Sequence, residues 1–308
     1  MTKNERRESA MEGAQLTEQD YLLAARTKST RTEYAKDLRY FMGAGGCIPA
    51  SVDQIVNYVT TVAPTLAVAT IERRLVSIHV AHVDQGFPSP VHDSRVKQLM
   101  QGVRRSLGVA QRQVKSIEKE ILLDMWSAAN QANPTWAART VALFAIGWAG
   151  AFRRSELVSL TWESVTWLDS GIEILLKSSK VDPSASGFTK YIPYAHGDRC
   201  PVKALKHWQD VCGCTTGFIF KAVGQSGRIS VKPLTAHGVA QIVKRIIKKT
   251  GRDPEVFSAH SLRAGFVTAG TLALVPDFLL MQVTGHKSHA TLQKYVRIGK
   301  RRQIPSLL

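Results

Sequence analysis

The apolar positions of this chain recur mostly at helical spacing. Tyr34, Leu38 and Phe41 stand at i, i+4 and i+7 behind Thr30-x-x-Glu33, a pairing that predicts a capped helix start. Gly43 to Pro49 interrupts the pattern. Ser51-x-x-Gln54 opens a second helix, with Ile55, Val56, Val59 and Val62 inward, and Pro64 closes it. A third helix over residues 67–85 carries Ile71, Leu75 and Ile78 on one face and stops at Gly86. Phe87-Pro88-Ser89-Pro90 reads as a turn, and a fourth helix over 93–107 presents Val96, Leu99, Val103 and Leu107. Residues 21–108 are thus expected to form an all-α domain behind a polar, flexible lead-in at 1–20. Residues 109–116 lack apolar periodicity, carry Arg112 and Lys115, and are expected to link this domain to the next.

The pattern changes in the second part. Helical periodicity covers 118–131 and 135–150, and the latter stretch is apolar nearly all round, as a buried core helix requires. Its tryptophans, Trp136 and Trp148, suit packing. Gly150 permits a turn, and Arg153 opens the next helix. Residues 171–177 and 188–194 are strand-like and predict a hairpin with Val181 to Gly187 at its tip. A helix from Pro201 to Val211, a short strand at Phe218-Ile219-Phe220 and a helix at Thr235–Thr250 follow. In that last helix Val239, Ile242, Val243 and Ile246 face inward, with Lys244, Arg245, Lys248 and Lys249 outward. His260–Leu272 and Asp277–Thr284 complete the reading. The fold class is mainly α: an all-α N-terminal helical domain, then an α+β domain over 117–308 with a small antiparallel sheet.

Composition narrows the partners. A chain of 308 residues with 44% hydrophobic residues suits two folded domains. Its formal net charge is +17, with a pI of about 9.9, and the usual polyanion for such a protein is nucleic acid. Arg31, Arg73, Arg74, Arg104, Arg105, Lys244 and Lys248 are the candidate DNA contacts; a basic residue taken singly is better explained as part of a solvated face, and the cluster becomes informative in a DNA-binding fold. No apolar run approaches the roughly 20 residues of a membrane span, and the N-terminus is not a secretion signal, so a cytoplasmic, nucleoid-associated protein is expected. Four cysteines make no disulfide framework, and His207, Cys212 and Cys214 lack a fourth zinc ligand, so no metal is expected.

The candidate chemistry lies near the C-terminal end. Gly285-His286 and Tyr295 stand close together, and Lys294 and Arg297 flank the tyrosine. A free tyrosine has a pKa of about 10 and attacks phosphate poorly without a proton acceptor and cations. Upstream, His260-x-x-Arg263 sets a histidine and an arginine on one helical face. Arg153-Arg154-Ser155-Glu156-Leu157 adds arginine and a carboxylate, and Lys177-Ser-Ser-Lys180 adds lysine. Arginine forks pair with phosphate oxygens, while histidine or lysine moves protons, a set suited to metal-free attack on a phosphodiester.

In this order and spacing the motifs resemble the tyrosine recombinases, the phage integrase family. The resemblance rests on Arg153 in Arg-x-Ser-Glu-Leu, Lys180, His260-x-x-Arg263, Gly285-His286 and Tyr295, and extends over nearly the whole chain. His286 precedes Tyr295 by nine residues and follows Arg263 by 23, as in the family. It implies that Arg153 and Arg263 hold the non-bridging oxygens of the scissile phosphate, with Glu156 orienting the cluster. His260 would act as general base or acid, and His286 would hydrogen-bond the phosphate. Lys180 would protonate the leaving 5′-hydroxyl, with Lys177 as the alternative. Tyr295 would form a 3′-phosphotyrosyl link, which conserves bond energy and needs no cofactor. The helical domain would be the core-binding domain that helps clamp DNA, and 117–308 the catalytic domain. The implied partners are a double-stranded recombination site and a homotetramer working through a Holliday junction, with room for accessory proteins. The implied role is integration, excision or resolution of a mobile element or replicon. The Lys300-Arg301-Arg302 run and the apolar Ile304–Leu308 terminus suit contact with DNA and with a neighbouring protomer. Two other readings are a type IB-like relaxing enzyme and a DNA-binding protein whose catalytic groups are vestigial.

Overall fold

The computed structural model describes residues 17, 21, 25–108, 114–176, 187–224, 226–286, 288–290 and 292. The chain divides into two compact units, residues 1–112 and 113–308.

The first unit contains four α-helices among its described residues: α1 (Lys28–Gly43), α2 (Val52–Val62), α3 (Val68–Asp84) and α4 (Ser94–Leu107). Phe41, Ile55, Val59, Ile71, Leu75, Ile78, Val96 and Val103 close its core, whereas Leu107 lies exposed on the last turn of α4. The Ser51 capping box forms as the sequence predicts: Ser51 Oγ accepts from the Gln54 N–H and Gln54 Oε1 from the Ser51 N–H. The start of α1 differs. Thr27, not Thr30, is the N-cap, because Thr27 Oγ1 accepts from the Thr30 N–H at 3.2 Å and draws Thr30 into the first turn. Asp37 is buried and joins α1 to α3 through the Arg73 guanidinium at 2.8 Å and the Ser77 hydroxyl at 3.0 Å.

A buried histidine secures the loop ahead of α2. His82 Nε2 accepts from the Ala50 N–H at 2.8 Å, so its proton sits on Nδ1 and is donated to the Ile78 carbonyl. His82→Leu removes the acceptor and leaves the half-buried Ala50 N–H without one. The expected loss is about 1–3 kcal/mol, read from equilibrium denaturation of the full chain.

In the second unit the core forms around α6 (Pro134–Ala149), buried from Ala137 to Gly147 as its apolar circumference requires. Against it pack α5 (Lys119–Asn130), α8 (Pro201–Cys212) and α10 (His260–Leu272). Further helices among the described residues include α7 (Arg154–Ser159), α9 (Ala236–Lys249) and α11 (Asp277–Thr284). Three antiparallel strands, β1 (Val165–Leu168), β2 (Gly171–Leu176) and β3 (Phe188–Pro193), form one sheet in the order β1-β2-β3. The β2–β3 pairing is the hairpin expected from the sequence, with Ile174 opposite Lys190 and Leu176 opposite Phe188.

Phe218–Phe220 is not a strand. Ile219 and Phe220 are buried in the core, and Phe218 makes one isolated bridge to Thr161. The strands lie just beyond it, as the hairpin β4 (Lys221–Val223) and β5 (Ile229–Pro233), whose side chains are half-buried or exposed and give no alternating signal. No described helix is long and apolar enough to cross a membrane.

Candidate active site

The site is built at the end of α6. That helix closes with the Gly150 N–H donating to Ile146 O and the Phe152 N–H to Gly147 O. The residue with positive φ is Ala151, at 47°, and not Gly150, at −89°. Gly150 is required for space: a Cβ there would stand 2.2 Å from the Phe152 ring. This turn aims the Ala151 carbonyl inward and sets Arg153 at the N-cap of α7.

Glu156, one turn into α7, holds Arg153 twice. Its Oε2 accepts from the Arg153 backbone N–H at 2.9 Å and its Oε1 from Nη1 at 2.6 Å. The carboxylate is buried, whereas the Arg153 side chain keeps 26% of its surface exposed. Burial works to raise the Glu156 pKa, but the two hydrogen bonds from Arg153 and the nearby charges of Lys190 and Arg153 outweigh it and leave it lowered. Arg154 points to solvent.

Arg263 is fully buried in α10, yet its fork reaches two other segments. Nη1 donates to the Ala151 carbonyl and Nη2 to His286 Nε2, at 2.8 and 2.9 Å. A guanidinium only donates, so Nε2 accepts and the His286 proton sits on Nδ1. It is donated to Thr284 Oγ1 at 2.8 Å, and that hydroxyl donates to the Leu280 carbonyl at 2.7 Å. The ring is thereby fixed to the end of α11, where Gly285, with φ at 65°, turns the chain. Burial, then the charges of Arg263 and Arg153, lower its pKa to about 4.

His260, one turn before Arg263, keeps a solvent-exposed surface although neighbouring atoms crowd its ring. That crowding, then the Arg263, Arg153 and Arg154 charges, lowers its pKa below the ordinary imidazole value. His289 pairs with Asp277 at 2.8 Å across the Gly285 turn.

One group at the site has no role of its own in the sequence reading, where it is only the lysine on the returning strand of the hairpin. Lys190 is buried on β3 among the charges of Glu156, Arg263 and Arg153. The signal was available: β3 alternates buried and exposed positions, and the pattern puts a lysine on the inward face between Phe188 and Ile192.

Arg153, Glu156, His260, Arg263 and His286 therefore come together in the second unit. Lys177, Lys180 and Tyr295 lie outside the described residues. Several candidate DNA contacts are engaged within their own unit. Arg73 bridges Glu33 and Asp37, Arg74 donates to Tyr58 Oη, Arg104 pairs with Glu72, and Lys244 pairs with Glu255. Arg31, Arg105 and Lys248 are exposed.

Residues 115–302 match the Phage integrase family. The chain belongs to this family, the tyrosine-type site-specific recombinases. An integrase/recombinase XerD homolog from Selenomonas ruminantium is 34% identical over 259 residues, spanning 82% of this chain and 75% of the relative. In fold the chain is similar to the XerH site-specific recombinase bound to palindromic difH substrate in a post-cleavage complex. There the TM-score is 0.64 at 20% identity, over 86% of this chain and 74% of that one. It is also similar to a lambda integrase tetramer bound to a Holliday junction, with a TM-score of 0.61 at 15% identity, over 89% of this chain and 74% of that one.

Proposed function

We propose that this recombinase exchanges DNA strands through a covalent link between Tyr295 and a 3′-phosphate. The Tyr295 oxygen attacks the scissile phosphorus as its proton passes to a base, with His260 in that role. The 5′-oxygen leaves and takes a proton from Lys180 or, as the alternative, Lys177. One phosphodiester is replaced by another, so a 5′-hydroxyl from a second duplex can reverse the step. Arg153 and Arg263 neutralise the charge that gathers on the non-bridging oxygens; His286 hydrogen-bonds the same phosphate once the Arg263 fork turns from Nε2 to the phosphate and that nitrogen carries a proton.

The observation that carries this reading is the meeting of Arg153, Arg263, His260 and His286 from three segments in one positively charged cluster. Glu156 holds Arg153 and counters part of that charge. Exchange between two sites needs four such centres, and the lambda integrase neighbour is a tetramer on a Holliday junction. We assign the same assembly here, acting in integration, excision or resolution. Residues 21–108 serve as the core-binding domain, 109–116 as linker and 117–308 as the catalytic domain. Arg31, Arg105 and Lys248 are the first candidates for phosphate contact.

The test is to trap covalent complexes with SDS on fragmented DNA of the source replicon and to sequence the attached ends. Wild type is expected to yield adducts on 3′ ends, and Tyr295→Phe none. Adducts that persist in the variant would reassign the nucleophile.

A further inference from the structure

Lys190 is a cation inside the sheet, and its surroundings say what it does. Its ammonium donates to the Gly150 carbonyl at 2.6 Å and to the Val283 carbonyl at 2.8 Å. It also lies over the Phe152 ring at 4.6 Å and near the Phe188 ring at 5.6 Å. Gly150 opens the turn that carries the Ala151 carbonyl and Arg153, and Val283 lies one residue before Thr284, which anchors His286. The side chain is only 2% exposed. Bonded to two backbone carbonyls and enclosed by two rings, the ammonium stands where a group that holds backbone in place would stand.

We propose that Lys190 is a positioning residue for the strand-cleavage site, clamping the Arg153 turn to the end of α11 so that both arginines and His286 meet one phosphate. This rests on the roles given above to Arg153, Arg263 and His286. The groups facing the ammonium are Glu156, which favours its charge, Arg153 and Arg263, which oppose it, and His286, whose own titration it depresses. Burial is the largest influence and brings the Lys190 pKa to about 7. The charge that strengthens both hydrogen bonds is therefore full at pH 6 and mostly lost by pH 9.

The test compares wild type with Lys190→Met, which removes both donors, and Lys190→Gln, whose amide can serve one carbonyl. Three quantities are measured in the full chain: DNA affinity, single-turnover adduct formation at saturating protein, and the His286 tautomer without DNA by imidazole ¹⁵N NMR. Lys190→Met is expected to bind DNA within about threefold of wild type and to form adducts about 100-fold more slowly, as a shift near 1 Å at a reacting centre does. Lys190→Gln should recover part of the rate. The wild-type advantage over Lys190→Met should shrink as pH rises from 6 to 9, and the variant's His286 proton should no longer stay on Nδ1. Adduct rates within threefold of wild type, with the tautomer unchanged, overturn the proposal. So does loss of cooperative unfolding and DNA binding in both variants, which makes the lysine a fold residue only. Should wild type form no adduct, the chemistry proposed above fails separately, and an unchanged tautomer in Lys190→Met still overturns the clamp.

Discussion

Replacing Arg263 with lysine is expected to slow covalent-adduct formation by about 10²–10³-fold while DNA binding stays near the wild-type level. The native guanidinium is a planar fork anchored at both ends, by the Ala151 carbonyl and by His286. An ammonium is a point donor on a shorter reach and cannot serve both. It keeps the charge, so long-range attraction to DNA changes little. What it loses is the orientation of charge toward the non-bridging oxygens and the grip that holds Nε2 of His286. One buried acceptor is also left unpaired, at a cost of about 1–3 kcal/mol in stability. Suicide-substrate kinetics with parallel thermal unfolding separate the two effects. A rate within tenfold of wild type in a folded variant would remove Arg263 from the catalytic set.

Gly265→Ala is expected to be the most damaging small substitution in the second unit. A Cβ at this position would lie 1.8 Å from the Ile117 carbonyl oxygen, 2.6 Å from its carbon and 2.8 Å from Trp148 Nε1. The obstacle is backbone, and it is pinned: Trp148 Nε1 donates to that oxygen at 2.9 Å, and the Ile117 N–H donates to Ser261 O at 2.9 Å. Relief requires breaking these bonds or pushing α10 away, and α10 carries His260 and Arg263. A loss of at least about 3 kcal/mol is expected. For a unit of this size that lowers the melting temperature by roughly 6–12 °C. Gly270→Ala is the control, since its Cβ would meet a Leu280 methyl at 2.4 Å, a side chain that can rotate. Equal losses in the two variants would mean that the Ile117 contact is not what constrains α10.

Much of this was legible in the residues. The inward faces of α1 to α4 and the all-round burial of α6 follow from apolar spacing, because those helices have one neighbour surface or none exposed. The candidate cluster was legible because its members sit in short motifs. In the sequence Lys190 is visible only as the lysine on the returning strand, ten residues after Lys180, because tertiary packing alone supplies its two carbonyls, one of them 93 residues away. The left-handed turn at Ala151 was also hidden: sequence favours Gly150 for that conformation, but the Phe152 ring needs the space over Gly150. The β4–β5 hairpin gave no alternation because neither face is fully buried.

The reach of these contacts along the chain bears on how the enzyme is made. Arg263 and the Ala151 carbonyl are 112 residues apart, and Lys190 and Val283 are 93 apart. At about 5–20 residues per second, a ribosome needs roughly 6–22 s to synthesise the stretch between Ala151 and Arg263. During that interval the core helix α6 can pack against α5 and α8, but the arginine fork and the second carbonyl of the lysine clamp do not yet exist. A nascent chain near DNA thus carries basic surface before it carries a complete cleavage centre, and strand breakage awaits synthesis past His286.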